Sequence, residues 1–322
     1  MRVAVTQTPA DLGSGNGPGA AGGLRPWVQR AKAAGCHLVL FPALATAAGD
    51  DFLSSVAGLA GQAGLLLGFA AERPGAGRVG FLFGPDGRLL GRQAQTQVSP
   101  EERDRDIIPG STLEPIALPP PAPAGLKAGF LVSLDAWCPE VARILTLKGA
   151  ALLLAPLAMP VPYSPWRQVA ATWQQVQQNQ VFGLEACLVG PVAAPTAAPP
   201  QATAAATQAT AAAATQPASA YAGRSGIFAP CEMTPGETGI LAQAGLDPAA
   251  IDPSKWADGL SAAGSDEPGL VVADLDFGAL QRTVDAYSLW EQQNLDFYRS
   301  FFPGVYGKAS GAAGRADGGE TP

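Results

Sequence analysis

The chain has 322 residues, 47% hydrophobic and 15% charged, with a net charge of −7 and a pI near 4.8. That composition supplies a large core, and an acidic chain with scattered lysines and arginines repels phosphate backbones, which excludes nucleic acid as a partner. No apolar stretch approaches membrane-span length, and the start, MRVAVTQTP, lacks the apolar region of a signal peptide, so a cytoplasmic protein with no membrane partner is expected.

The predicted elements run as follows. Arg2 to Thr6 reads as a strand, and Asp11 to Gly23 as a Gly-rich loop. Its GSGNGPG run lacks both a GK[ST] ending and G-x-G-x-x-G spacing, so it is a flexible loop and not a phosphate cradle. A helix follows over Leu24–Ala34 and a strand over Cys36–Phe41. His37 is the only histidine, and its neighbour Cys36 points to the opposite strand face. No ligand partner stands at metal spacing, so no metal and no cofactor are expected, and no Ser–His–Asp signature surrounds His37. Cys36, Cys138, Cys187 and Cys231 are widely spaced and read as free thiols. Asp50 and Asp51 open a helix over Phe52–Gln62, where its dipole favours carboxylates. Strands follow at Gly64–Ala71, Val79–Gly84 and Arg88–Gln93, the last two joined by the turn Pro85–Asp86–Gly87.

Leu126 to Pro156 is the stretch that organises the chain. Phe130 to Leu134 is a short apolar run ending at Asp135. Pro139 takes a first helical position, Val141, Ile144, Leu145 and Lys148 follow at helical spacing, and Gly149 ends the helix. Ala151 to Ala155 is a second apolar run, bounded by Pro156. The turn Ser133–Cys138 therefore lies at the carboxyl end of a buried strand, where α/β folds place ligands and chemistry. Further on, Trp166–Asn179 reads as a helix with Trp166, Val169, Trp173 and Val176 on one face and glutamines opposite. Val181–Val189 is a strand. Residues 191–220 form a low-complexity Ala/Thr/Pro/Gln insertion with too little bulky side chain to bury. A strand pair at Ser225–Ala229 and Thr238–Ala244, a polar connection at Leu246–Glu267 and a last strand at Gly269–Leu275 complete the sheet. Helices at Phe277–Tyr287 and Leu289–Phe301 precede a flexible tail, so one domain over residues 1–305 and a tail over 306–322 are expected.

The central stretch resembles the nucleophile segment of the nitrilase superfamily, the carbon–nitrogen hydrolases, whose pattern is G-x-x-I-C-Y-D-x-x-F-P-E-x-x-R-x-L-x-x-x-G-A-x-x-I-x-x-P. Gly129, Asp135, Pro139, Glu140, Arg143, Leu145, Gly149, Ala150 and Pro156 fall in register. The resemblance implies a four-layer α-β-β-α sandwich, an oligomer paired through flanking helices, and hydrolysis of non-peptide C–N bonds by a Glu–Lys–Cys set. At those three positions this chain has Ala43, in Phe41–Pro42–Ala43, then Gln95, in Gln93–Gln97, and Ser133. Glu102, or Glu101, matches the family's supporting glutamate. The asparagine of R-A-x-E-N is kept as Asn179, but its arginine and glutamate are not.

The family reaction needs a thiolate nucleophile, a carboxylate base and an ammonium at the oxyanion. A base contributes about 10²–10⁴-fold and an oxyanion donor about 10²–10³-fold. A serine, a methyl group and a neutral amide at these positions imply a catalytically degenerate relative, a pseudoenzyme. Such a protein would bind a small amide or carboxylate, or serve as a non-catalytic subunit in a homo-oligomer or beside an active relative. The alternative is an active amidase with Ser133 or Cys138 as nucleophile and Glu102 or Asp135 as base. A third reading is a structural oligomer with no ligand.

Overall fold

The computed structural model describes residues 1–12, 21–73, 76–104, 107–192, 220–248, 266–286 and 294–312. The Gly-rich run 13–20, most of the 191–220 insertion, most of the connection after Leu246 and the last ten residues lie outside these. The chain divides into two units, Met1–Leu280 and Gln281–Pro322.

In the first unit, β1 (Arg2–Pro9), β2 (Leu38–Ala47) and β3 (Leu66–Arg73) are parallel neighbours, and β4 (Gly77–Phe83) and β5 (Leu89–Ala94) extend them antiparallel. The second half contains β6 (Ile116–Ala117), β7 (Lys127–Phe130), β8 (Ala150–Leu157) and β9 (Phe182–Pro191), with β7, β8 and β9 parallel. Three short strands, β10 (Ala220–Ala222), β11 (Gly226–Phe228) and β12 (Ile240–Gln243), attach to β9 or to each other. β13 (Gly269–Asp274) runs antiparallel to β1. The spatial order is β5-β4-β3-β2-β1-β9-β8-β7-β6. β1 joins the halves: Val3–Val5 pair with β2, whereas Thr8 and Pro9 pair with β9.

The sheet folds over so that its two halves face each other. The ring of Phe130 on β7 lies against Gly80 on β4, 2.8 Å from where a Cβ would stand, and touches the same space at Gly68. Helices cover both outer faces. α1 (Arg25–Ala33) and α2 (Asp50–Ala63) pack Val28, Ala31, Phe52 and Val56 on Val39, Phe41, Leu67, Phe69 and Phe81. α3 (Pro100–Asp104) is a single turn, and α4 (Pro139–Leu147) packs Val141, Ala142 and Leu145 on Leu131, Leu153 and Ala155. This is the four-layer α-β-β-α architecture. The parallel strands are covered on both faces, which explains their near-continuous apolar runs.

Several boundaries move. β7 stops at Phe130 rather than Leu134, because the backbone turns left-handed at Ser133. The expected helix at Trp166–Asn179 is three pieces: α5 (Pro165–Gln168), a π turn at Val169–Trp173, and α6 (Gln174–Asn179). The π turn has Ala171 at φ −88° and ψ −129°, and Val169 and Trp173 still pack with buried Val176 beyond it, as the expected face has them. Trp166 departs from the expected face, being 63% exposed, and of the glutamines Gln168 and Gln175 are buried while Gln178 is exposed. All four cysteines are free thiols, and His37 accepts the Arg2 N–H at Nδ1 (3.1 Å).

α7 (Phe277–Ala286) contributes Phe277, edge-on to Phe182, and buried Leu280 to the first unit. In the second unit, α8 (Leu295–Ala312) stacks Phe297 on Phe301 and Tyr298 on Phe302, and it continues past the expected end at Phe301. No helix among the described residues is long and apolar enough to cross a membrane.

Candidate active site

The chain leaves β7 through Leu131 and Val132 into a 3-10 turn, Ser133–Trp137, and Pro139 then starts α4 as its first residue. Ser133 stands at φ +53°, a region a non-glycine residue occupies only when its surroundings hold it there. Two sets of bonds do so. Asp135, fully buried, accepts from the Thr96 N–H (3.0 Å), the Thr96 hydroxyl (2.8 Å) and the Gln97 N–H (2.8 Å), which ties the turn to the segment after β5. Arg78 on β4 donates from Nη1 to the Ser133 Oγ at 2.9 Å.

Arg78 reaches this point through strand pairing. It lies opposite Glu72 on β3, and its carbonyl accepts the Gln95 N–H at 2.9 Å. Its Nη1 is 3.5 Å from Glu102 Oε1 and its Nη2 is 3.7 Å from Glu72 Oε1. Glu102 Oε2 accepts from Gln95 Nε2 (3.0 Å) and from the Ser99 N–H (2.9 Å). The Glu102 N–H in turn donates to Ser99 Oγ (3.1 Å), a reciprocal capping box at the start of α3, with Pro100 in the first turn.

Ser133, Arg78, Glu102 and Gln95 therefore form one bonded chain. Gln95 also donates from Nε2 to the Gln97 carbonyl (2.6 Å), while its Oε1 is buried with no partner. Ala43 lies on β2 in register with Ala70, which is itself opposite Gly80, so it is two strands from Arg78 and offers only a methyl. Cys138 caps α4 and is partly exposed. Burial, then the nearby charges of Asp135 and Glu140, push its thiol up, which disfavours the thiolate. Burial also pushes the Asp135 carboxyl up to about 6, against the pull of its bonds to Gln97 and Thr96.

Sequence reasoning missed Arg78. It reads as a charged residue at a strand start, and only the register with Glu72 and Gln95 aims it at Ser133. It brings a positive charge to a site whose three aligned catalytic positions, Ala43, Gln95 and Ser133, are all neutral. The capping box of Glu102, in contrast, is legible as Ser99-x-x-Glu102. No group of three His, Cys, Asp or Glu side chains among the described residues is arranged to hold a metal. A separate cleft of about 300 Å³, lined by Arg73, Val79, Phe81, Arg92 and Glu114 among others, includes none of the site residues above.

The carbon-nitrogen hydrolase family model matches residues 24–283. The chain belongs to the carbon-nitrogen hydrolase family. Among solved structures, it is similar to the amidase from Nesterenkonia sp. AN1, seen with acrylamide added at that protein's active-site cysteine. Identity is 19% and the TM-score 0.63, over 94% of this chain and 99% of that chain. It is also similar to a carbon-nitrogen hydrolase from Helicobacter pylori G27, at 18% identity and a TM-score of 0.66, over 93% and 97% of the two chains. At these identities the likeness is one of fold. No curated protein matches the chain.

Proposed function

We propose that this carbon-nitrogen hydrolase family member binds a small carbonyl compound, an amide or a carboxylate, at Ser133 without hydrolysing it. The observation that carries this reading is the partner of the Ser133 hydroxyl. It is the Arg78 guanidinium, a donor that stays protonated and takes no proton from a nucleophile. The nearest carboxylate in the bonded chain, Glu102, lies beyond that guanidinium and is engaged by Gln95 and Ser99. Cys138 is a poor substitute because its thiolate is disfavoured. Asp135 is engaged by the Thr96–Gln97 segment and holds the turn.

One observation favours a second reading, an active amidase with Ser133 as nucleophile: Ser133 keeps a strained left-handed backbone at the carboxyl end of a buried strand. Ammonia release from a panel of aliphatic amides and nitriles separates the two. The binding reading expects no release above the uncatalysed rate. Turnover abolished by Ser133→Ala or Cys138→Ala would establish the hydrolase. Ile144, Leu147 and Trp166, exposed on the outer helices, support pairing with a second copy or with an active relative. Light scattering of the purified chain reads that state directly.

A further inference from the structure

The guanidinium of Arg78 has five N–H donors in a fixed fork. Ser133 Oγ takes one at 2.9 Å. The same Nη1 also donates to Glu102 Oε1 at 3.5 Å, and Nη2 stands 3.7 Å from Glu72 Oε1, so of the five hydrogens the one on Nε and the second on Nη2 have no acceptor among the described residues. The Arg78 side chain keeps 23% of its surface exposed, and Ser133 is half-buried, so both are reachable from solvent. Ser133 uses one lone pair on Arg78, and no acceptor among the described residues takes its hydroxyl proton. Two hydrogen-bond donors thus stand side by side.

The structure assigns to Arg78 and Ser133 the role of a two-donor cradle for one oxygen of a ligand's trigonal carbon, with Glu72 and Glu102 setting a preference for a neutral carbonyl over a carboxylate. This rests on the binding reading above. A lone arginine facing solvent is a carboxylate receptor. Here one cation already faces two carboxylates, and a third would add repulsion. Glu102 is nearly buried, so its charge is weakly screened; Glu72 is 53% exposed and acts more weakly. A neutral carbonyl takes the same donors without that repulsion. Arg78 is thereby the residue that sets the charge of the ligand, a form of discrimination that works by disfavouring the competitor.

The test is an NMR titration at pH 7.5 with propionamide and with propionate. The proteins are the unmodified chain, Arg78→Gln, Arg78→Lys and Glu72→Gln, each confirmed folded by its melting curve. Propionamide saturates the unmodified chain and propionate binds about tenfold or more weakly. Arg78→Gln lowers propionamide affinity about tenfold or more, and Arg78→Lys recovers part of it. Glu72→Gln narrows the gap by strengthening propionate. If Arg78→Gln does not fold, the Lys and Glu72 variants decide: an unchanged amide-to-acid ratio in both overturns the assignment. Propionamide binding Arg78→Gln as tightly as the unmodified chain overturns it too, and leaves the binding reading standing. Propionate binding more tightly than propionamide overturns the charge preference. Saturation by neither ligand sinks both the assignment and the binding reading.

Discussion

Two buried acids, Glu185 and Asp135, are expected to make the stability of this molecule depend on pH. Glu185 on β9 is fully buried, with Gln168 donating to it at 3.2 Å and the Cys187 sulfur 4.0 Å away. Burial pushes its carboxyl from 4.5 up to about 7, against the pull of Thr172 and Gln168. A raised folded-state value means that the folded protein favours the protonated form. The stabilisation is therefore complete below the unfolded value of 4.5 and is lost as pH rises toward about 7. A shift of that size corresponds to roughly 3 kcal/mol. Asp135, raised from 3.8 to about 6, acts in the same direction over a lower window. We expect the melting temperature to fall between pH 5 and pH 8, and Glu185→Gln to flatten most of that fall, as read by calorimetry across the range. Asp135 also has a bonding role. Asp135→Ala leaves the Thr96 and Gln97 N–H groups without their acceptor and destabilises by about 2 kcal/mol, measured by urea unfolding. The sequence offers Ser133, Gln95, Glu102 and Asp135 as candidate site residues because each sits at a fixed place in a motif. Arg78 is invisible there, since its meaning depends on which residues of β3 and β5 lie beside it.

Strands and short helices were legible wherever one local rule governed them. Pro139 and Gly149 bracket α4 as helix signals should, and Gly149 takes φ +95°. The parallel strands show as apolar runs. The helix from Trp166 to Asn179 was legible, and so was the face on which Val169, Trp173 and Val176 pack together, but the π turn at Val169–Trp173 was not. Nothing in the local sequence marks that turn. Close contacts between layers are equally silent until the sheet folds over. Gly80 is needed because the Phe130 ring fills the space of its Cβ, and Gly183 because Val176 comes within 2.5 Å of the same position. Gly80→Ala is expected to cost about 1–3 kcal/mol through overpacking, with a lower urea midpoint at unchanged slope. Phe130→Ala would cost about 3–5 kcal/mol by the opposite route, an unfilled space between the two halves of the sheet.

At the scale of the whole molecule, the folded-over sheet brings β4 of one half against β7 of the other, and Arg78 meets Ser133 across that contact. The sandwich and its family membership were readable from motif order along the chain. The site's chemistry was readable only in part, because a fold of this kind houses chemistry without specifying it. Ser133 has a cation as its neighbour, and among the described residues no carboxylate accepts its hydroxyl proton. Intact-protein mass spectrometry during prolonged incubation with small aliphatic amides tests this most directly. We expect an unchanged mass at every time point; an acyl adduct mapped to Ser133 or Cys138 would overturn binding without hydrolysis.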